Sequence, residues 1–332
     1  MGPVVRPPMK ALVLIGGFGT RLRPITYSIP KQLIPIAGKP MLYHVLDLLP
    51  DEIEEAVLAT GYKADVIDAY VRAHPTRFPI RTVPEAEPLG TGGGMKNAGD
   101  GMSDPFVLLN SDVITSADVG AMVRAQAARG GVGTMALYEV DDPRPYGVAA
   151  LDEDDRIRSF VEKPEPKDAP SRWINAGLAV WRREVLDHIP TGRMVSFERE
   201  IMPELLPKGV YGFRFAGFWD DAGTPDRLLH AQELLFDAGR GGKGGVPPGS
   251  FGRGPVAAMT GVVARGASFG PYVTLGANVR VEAGAHVERS ILMDGVVVEK
   301  EAIVVGSILG PKVRVGAGLR VQDQVLADGG AA

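Results

Sequence analysis

The stretch Ala11-Leu12-Val13-Leu14-Ile15-Gly16-Gly17-Phe18-Gly19-Thr20-Arg21-Leu22-Arg23-Pro24, with Pro30-Lys31 shortly after it, decides how this chain is read. Five apolar residues form a buried strand and feed a glycine-rich turn. Glycines let backbone approach a polyphosphate and offer N–H groups to its oxygens. Arg21 and Lys31 then balance charge along the phosphate chain. A Walker loop would follow its last glycine with Lys-Ser/Thr, but Thr20-Arg21 follows Gly19. A dinucleotide fingerprint would need a third glycine where Leu22 stands. Nucleotide handling by another type of loop is the expectation.

Composition narrows the field. The chain has 332 residues, 45% of them apolar and 23% charged, as an ordinary globular protein would. A net charge of -4 argues against a nucleic-acid binder. With no cysteine, disulfides, thiolate zinc sites and cysteine nucleophiles are excluded. No apolar run reaches membrane-spanning length and the first eight residues lack a signal-peptide core, so the cytoplasm is the expected location. The residues before Met9 read as a loose tail.

Outward from the loop, short apolar runs alternate with amphipathic stretches. Strands are expected at 11–15, 56–60, 80–83 and 106–109, and helices at 40–49, 64–73, 92–98 and 117–128. This alternation predicts a Rossmann-like α/β domain with a mostly parallel sheet. Strands at 134–140, 148–151, 156–161 and 174–181 follow with few helices between them, which predicts an antiparallel patch. Thr224-Pro225 caps a last helix running to Phe236. The expected domains are this α/β domain over 9–238, a Gly/Pro-rich linker over 239–254, and a repeat domain over 255–326.

The repeat has a six-residue step. Val273, Val279, Ala285, Ile291, Val297, Ile303, Leu309, Val315 and Val321 are all apolar, and Val263, Phe269, Leu275, Val281, Val287 and Met293 run beside them. Such hexads predict a left-handed parallel β-helix with one side chain per hexad turned inward. Its apolar burial falls short of its backbone entropy. Docking on the first domain, on another subunit, or on both is therefore expected, and with it a homo-oligomer formed through the β-helix.

The string from Gly16 through Arg21, Pro24, Pro30-Lys31, Pro35 and Gly38-Lys39-Pro40-Met41 resembles the signature of the sugar-1-phosphate nucleotidylyltransferases. The resemblance continues in order through Leu89-Gly90-Thr91, Leu109-Asn110-Ser111-Asp112, Tyr146-Gly147-Val148, Val161-Glu162-Lys163-Pro164, Asn175-Ala176-Gly177 and Trp219-Asp220-Asp221-Ala222-Gly223-Thr224. Within that family the chain looks most like mannose-1-phosphate guanylyltransferases, through Gly17-Phe18-Gly19, Glu87-Pro88-Leu89-Gly90-Thr91, Ser196-Phe197-Glu198-Arg199-Glu200 and Gly217-Phe218-Trp219. Gly92-Gly93-Gly94 is richer in glycine than the guanylyltransferase pattern, and Lys31-Gln32-Leu33 is similar to glucose-1-phosphate thymidylyltransferases.

The resemblance implies transfer of a nucleotidyl group from an NTP, GTP favoured, to a sugar 1-phosphate, mannose 1-phosphate favoured, with Mg2+ as cofactor. It implies that Arg21 steadies the departing pyrophosphate, Lys31 neutralises the α-phosphate and Lys163 grips the sugar phosphate. Asp112 and Asp221 match the magnesium ligands. Either member of the Asp220-Asp221 pair could reach a metal, and alignment on Gly223-Thr224 favours Asp221. Gly16, Gly17, Gly19 and Thr20 fall on the nucleotide, and Gly147, Glu162, Asn175 and Gly177 on the sugar. Glu85 with Leu89, Gly90 and Thr91 is expected to read the base, because a carboxylate can accept from the N–H and amino group on guanine's pairing edge. All these residues are expected around one magnesium-bridged pocket. A thymidylyl- or uridylyltransferase is the alternative within the family. A non-catalytic regulatory subunit with the same fold is the alternative of another class. His286, the lone histidine past the linker, is expected to carry no acyltransferase chemistry.

Overall fold

The computed structural model describes residues 8–242 and 245–327. Residues 1–7 of the tail expected before Met9 and two residues of the expected linker, 243 and 244, lie outside the described residues. The chain divides into two compact units. One holds the residues up to Gly17 together with Val45–Trp219; the other holds Phe18–His44 and Asp220 onward.

In chain order the elements are β1 (Met9–Ile15), β2 (Pro35–Ile36), β3 (Lys39–Pro40), α1 (Met41–Leu46), β4 (Ile53–Thr60), α2 (Ala64–Ala73), β5 (Ile80–Pro84), α3 (Gly90–Ala98), β6 (Phe106–Asn110), β7 (Ile114–Thr115), α4 (Val119–Arg129), β8 (Gly133–Glu139), β9 (Gly147–Leu151), β10 (Ile157–Glu162), β11 (Trp173–Trp181), α5 (Met202–Leu205), β12 (Val210–Arg214) and α6 (Pro225–Asp237). The first unit is built on a nine-stranded sheet ordered β10-β9-β11-β6-β1-β4-β5, with β8 beside β11 and β12 beside β8. β1, β4, β5 and β6 are parallel, with Leu12 between Val57 and Leu108. Central parallel strands are covered on both faces, which is why β1 reads as unbroken apolar sequence. β9, β10 and β11 form the expected antiparallel patch.

Local sequence fixes the helix ends. Asp118 caps α4 by accepting the Ala121 N–H at 2.8 Å, and Thr224 caps α6 by accepting from Arg227 with proline in its first turn. α1 is shorter than its expected span of 40–49. Leu48 and Leu49 close tight three-residue turns instead, because Pro50 disfavours helical backbone just before it. The core packs Trp181 edge-on against Phe197, with centroids 5.3 Å apart, among Met95, Phe106 and Met135. Gly133, opposite Trp181 in the β8–β11 register, has no room for a side chain: an added Cβ would lie 2.0 Å from the indole.

In the second unit the repeat forms a parallel β-helix of three stacked sheets. Register partners along one sheet run Phe251, Ser268, His286, Ile303 and Arg320. Most successive partners are therefore 17 residues apart, and only Ser268 to His286 is 18. Left-handed corners explain the number. They fall at Gly266, Tyr272, Asn278, Gly284, Arg289, Gly295, Glu301, Gly306, Lys312, Gly318 and Asp323. After Gly284 the spacing is a five and two sixes per turn. The expected strict six-step therefore loses register. Val297 and Ile303 turn outward and are half-buried, and Val298 and Val304 take the interior places. The inward row is Phe269, Leu275, Val281, Val287, Leu292, Val298, Val304, Leu309, Val315 and Val321.

Ile291 and Ile308 are also fully buried but stand outside that interior cluster, on the outer face of their sheet with Thr274. That face is covered within the unit. The buried Gln232 of α6 accepts from Thr274 Oγ1 at 2.5 Å and from the Ala37 N–H at 3.3 Å, and donates to the Tyr272 carbonyl at 2.8 Å. Arg289 is ion-paired with Glu233 of α6. The prism thus docks on α6 and on the segment after the glycine loop, as its small interior requires.

Candidate active site

The glycine loop begins at the carboxyl end of β1, where the Ser111 N–H donates to the Leu14 carbonyl and where open α/β sheets bind ligands. Gly16 and Gly17 are exposed. Gly19 has φ 60°, and an added Cβ would sit 2.9 Å from Thr26 Cγ2, whose hydroxyl donates to the Gly19 carbonyl at 2.9 Å. This lock starts a turn over Thr20–Leu22 that buries Leu22 and leaves Thr20 and Arg21 exposed. Lys31, half-buried, opens a second short turn over Lys31–Leu33.

The Arg21 guanidinium lies over the Asp221-Ala222-Gly223 turn, so close that a Cβ on Gly223 would meet its Nη2 at 2.5 Å. The two aspartates before that turn differ. Asp220 is buried, with Oδ1 accepting from Arg227 Nε at 2.8 Å and from the Ala222 N–H at 3.1 Å, and Oδ2 lying 2.7 Å from His230 Nδ1. Asp221 is a quarter exposed and pairs with Arg227 Nε at 2.9 Å. Asp220 is thereby committed to tying α6 to the turn.

Asp112 follows β6 at the carboxyl end of that strand and is half-buried. Glu85, just past β5, accepts the Leu89 N–H at 3.1 Å. Burial raises its carboxyl above the ordinary range, against that hydrogen bond. The glycine run of α3 has a packing cause. A Cβ on Gly92 would press Val195 Cγ1 at 2.9 Å, one on Gly93 the Leu89 Cβ at 2.7 Å, and one on Gly94 the Glu85 Oε1 at 2.5 Å. Val195 closes this arrangement: its N–H donates to the Leu89 carbonyl and its own carbonyl accepts from Gly92.

Within the first unit an open cavity of about 420 Å³ is lined by Gly90, Thr91, Gly147, Glu162, Lys163 and Asn175. Gly147 is required where it is: an added Cβ would fall 2.8 Å from Glu162 Oε2 and 2.3 Å from the Phe160 ring. Burial raises the Glu162 carboxyl above its usual range and the charge on Glu198 adds to this, while Lys163 and Arg199 oppose it. Lys163 adopts φ 53°, and its largely exposed ammonium stands 3.8 Å from Glu162 Oε1. Asn175 Oδ1 accepts the Gly177 N–H at 2.9 Å. Gly177 lines a much smaller neighbouring recess with Thr91, Asn110, Asn175 and Glu198.

One cavity thus gathers six of the expected residues, Gly90, Thr91, Gly147, Glu162, Lys163 and Asn175, with Gly177 beside it. In the second unit the Arg21 guanidinium lies over the turn that carries Asp221. Seven cavity residues were not among the expected site, and Asn110, Glu198 and Arg199 are the ones among them with amide or charged side chains. Glu198 and Arg199 have their signal in the Ser196-Phe197-Glu198-Arg199-Glu200 string, and Asn110 has its own in Leu109-Asn110-Ser111-Asp112. Ser196 Oγ accepts the Arg199 N–H and Glu200 reaches back to the Ser196 N–H, a reciprocal cap that starts the wide turn Phe197–Ile201. That cap turns Glu198 and Arg199 to the cavity.

Among the described residues no group of three or more His, Cys, Asp or Glu side chains could hold a metal, and no helix is long and apolar enough to cross a membrane.

Residues 10–237 match the family described as nucleotidyl transferase, and residues 255–330 match the GMPPB C-terminal domain. The chain is 40% identical over 306 residues to a mannose-1-phosphate guanylyltransferase of Mycobacterium tuberculosis, covering 85% of this chain and 83% of that one. It is 35% identical over 315 residues to mannose-1-phosphate guanylyltransferase 1 of Arabidopsis thaliana, covering 90% and 85%. Among solved structures, HddC from Yersinia pseudotuberculosis complexed with GMP-PN is 29% identical, with a TM-score of 0.58, over 68% of this chain and 99% of that one. Signature loop, sheet and repeat domain agree with these matches, and the chain belongs to the nucleotidyl transferase family, as an enzyme of that class.

Proposed function

We propose that the chain joins GTP to mannose 1-phosphate, giving GDP-mannose and pyrophosphate. The observation that carries this reading is the open cavity. Its lining offers carboxylate and amide oxygens for hydroxyl groups and the Lys163 ammonium for a phosphate. The relatives' names favour mannose and guanine over the thymidylyl and uridylyl alternatives.

A phosphate oxygen of the sugar 1-phosphate attacks the α-phosphorus of the NTP. One P–O bond forms there, and the bond to the oxygen bridging the α- and β-phosphorus breaks, that oxygen leaving with its electron pair on pyrophosphate. The nucleophile is already an anion, so no general base is needed. Catalysis is then positioning and charge stabilisation. Two unit charges about 5 Å apart repel by roughly 3 kcal/mol at an effective dielectric of 20, and several such pairs meet here. Lys163 holds the sugar phosphate, Lys31 offsets charge on the α-phosphate, and Arg21 steadies the pyrophosphate. Gly16, Gly17, Gly19 and Thr20 let backbone approach the phosphates. Gly147, Glu162, Asn175 and Gly177 meet the sugar, and Glu85 with Leu89, Gly90 and the backbone of Thr91 meets the base.

Asp112 and Asp221 would hold Mg2+. The chemistry of the donors fits: hard carboxylate oxygens, few in number, suit an ion that keeps waters and substrate phosphates around it, and Asp220 is spent elsewhere. When bound, the ion would offset phosphate charge.

The test is pyrophosphate release measured for GTP, UTP, dTTP and ATP against mannose 1-phosphate and glucose 1-phosphate. GTP with mannose 1-phosphate is expected to turn over fastest. Equal or faster turnover with dTTP or UTP overturns the base assignment, and faster turnover with glucose 1-phosphate overturns the sugar.

A further inference from the structure

The Thr91 hydroxyl has one hydrogen to give, and it goes to Glu198 Oε2 at 2.6 Å. The Thr91 hydroxyl oxygen in turn accepts the Phe197 N–H at 3.0 Å. The side chain is thus turned from the base-side loop that carries it toward the segment bearing Glu198. Ser196 Oγ also lies 3.3 Å from Glu198 Oε2. Both hydroxyl contacts fall on one carboxylate oxygen, and among the described residues Glu198 Oε1 takes no hydrogen bond while its residue lines the cavity.

Glu198 faces the same cavity as Glu162, whose carboxyl feels its charge. Two carboxylates repel unless a ligand places donors between them. A polyhydroxyl ring supplies such donors without adding charge, and the cations Lys163 and Arg199 on the same wall suit the phosphate it carries.

We propose that Glu198 is a specificity residue for the sugar hydroxyls and that Thr91 is its positioning residue, acting on the sugar and not on the base. This rests on the sugar 1-phosphate reading above. It reassigns the Thr91 side chain and adds a second carboxylate to the sugar-facing wall. The geometry also ties the two substrates together: the first turn of α3, next to Leu89 and Gly90, holds the group that meets the sugar.

The experiment is steady-state kinetics of the full chain, with KM measured for GTP and for mannose 1-phosphate separately, the other substrate saturating. Loss of a hydrogen bond involving a charged group is worth about tenfold or more. Thr91→Val and Glu198→Gln are expected to raise the sugar 1-phosphate KM by about tenfold and the GTP KM by less than about threefold. Thr91→Ser, which keeps the hydroxyl, is expected to restore the parent values and so separates the hydroxyl's role from a folding defect. A rise in the GTP KM instead, an equal rise in both, or no rise in either overturns the proposal. Failure of the parent reading looks different: the unaltered chain would then release no pyrophosphate with any sugar 1-phosphate.

Discussion

Replacing Gly94 by alanine separates the loop around Glu85 from the stability of α3. The new Cβ would stand 2.5 Å from Glu85 Oε1, 3.7 Å from its Cδ and 3.8 Å from Leu14 Cδ2. To reach ordinary contact at 3.4 Å the carboxylate must retreat by about 0.9 Å. The clash is with Oε1, while Oε2 accepts the Leu89 N–H at 3.1 Å, so a carboxylate that retreats as a whole loses this bond. A hydrogen bond to a charged acceptor contributes about 1.5–3 kcal/mol, whereas alanine in a helix interior gains about 0.5–1 kcal/mol over glycine. The net loss of about 1–2 kcal/mol shifts the melting temperature by only a few degrees in a chain of this size. The same loss, felt by a loop that meets the nucleotide, raises the GTP KM about tenfold and leaves the mannose 1-phosphate KM unchanged. Gly93→Ala is the control. Its Cβ would press Leu89 Cβ at 2.7 Å and the Arg193 carbonyl at 3.0 Å, where backbone must yield, so it destabilises the fold. A Gly94→Ala enzyme with parental GTP KM would refute the role given to Glu85.

The paired aspartates predict a split. Asp220→Asn, which weakens the buried ties to Arg227 and His230, lowers the melting temperature more than Asp221→Asn does; Asp221→Asn lowers kcat more, by about a hundredfold, and raises the Mg2+ concentration for half-maximal rate. Gln232→Leu removes three hydrogen bonds, two of them buried, and leaves Thr274 and Ala37 without their partner, costing about 2–4 kcal/mol, seen as a lower melting temperature and faster proteolysis between α6 and the β-helix. Glu162 has a folded-state pKa above its ordinary 4.5, so its ionisation opposes folding above that folded value and the penalty disappears as pH falls below the unfolded value. Glu162→Gln is therefore more stable than the parent at neutral pH, and melting curves of the two converge near pH 4.5.

Much of the architecture was legible because the signals were redundant. β1 reads as a buried strand from its apolar run alone, and Thr224-Pro225 marks the start of α6 by composition and cap geometry together. The β-helix was legible as a repeat but not in its register. Six-residue spacing and a five-six-six turn agree over Phe269 to Val287 and part at Leu292, and only the corner backbone at Arg289 reveals the shortened step. At the site, strings such as Val161-Glu162-Lys163-Pro164 named residues that share a cavity, yet Glu198 and Arg199 were read only as part of a resemblance. Their exposure to the cavity depends on the Ser196–Glu200 cap and on Thr91, more than a hundred residues away in sequence. The direction of a hydroxyl across such a distance leaves no local pattern.

The seventeen-residue winding sets a rule for altering the length of the repeat domain. Excising or duplicating a full circuit would bring every bend back above its predecessor and keep Val, Leu and Ile columns in line. Cutting out one nominal hexad would displace two seams at once and aim charged residues such as Glu299 or Arg314 at the dry interior. Length variants of this domain should therefore survive only in whole circuits, whatever the apparent unit of the sequence.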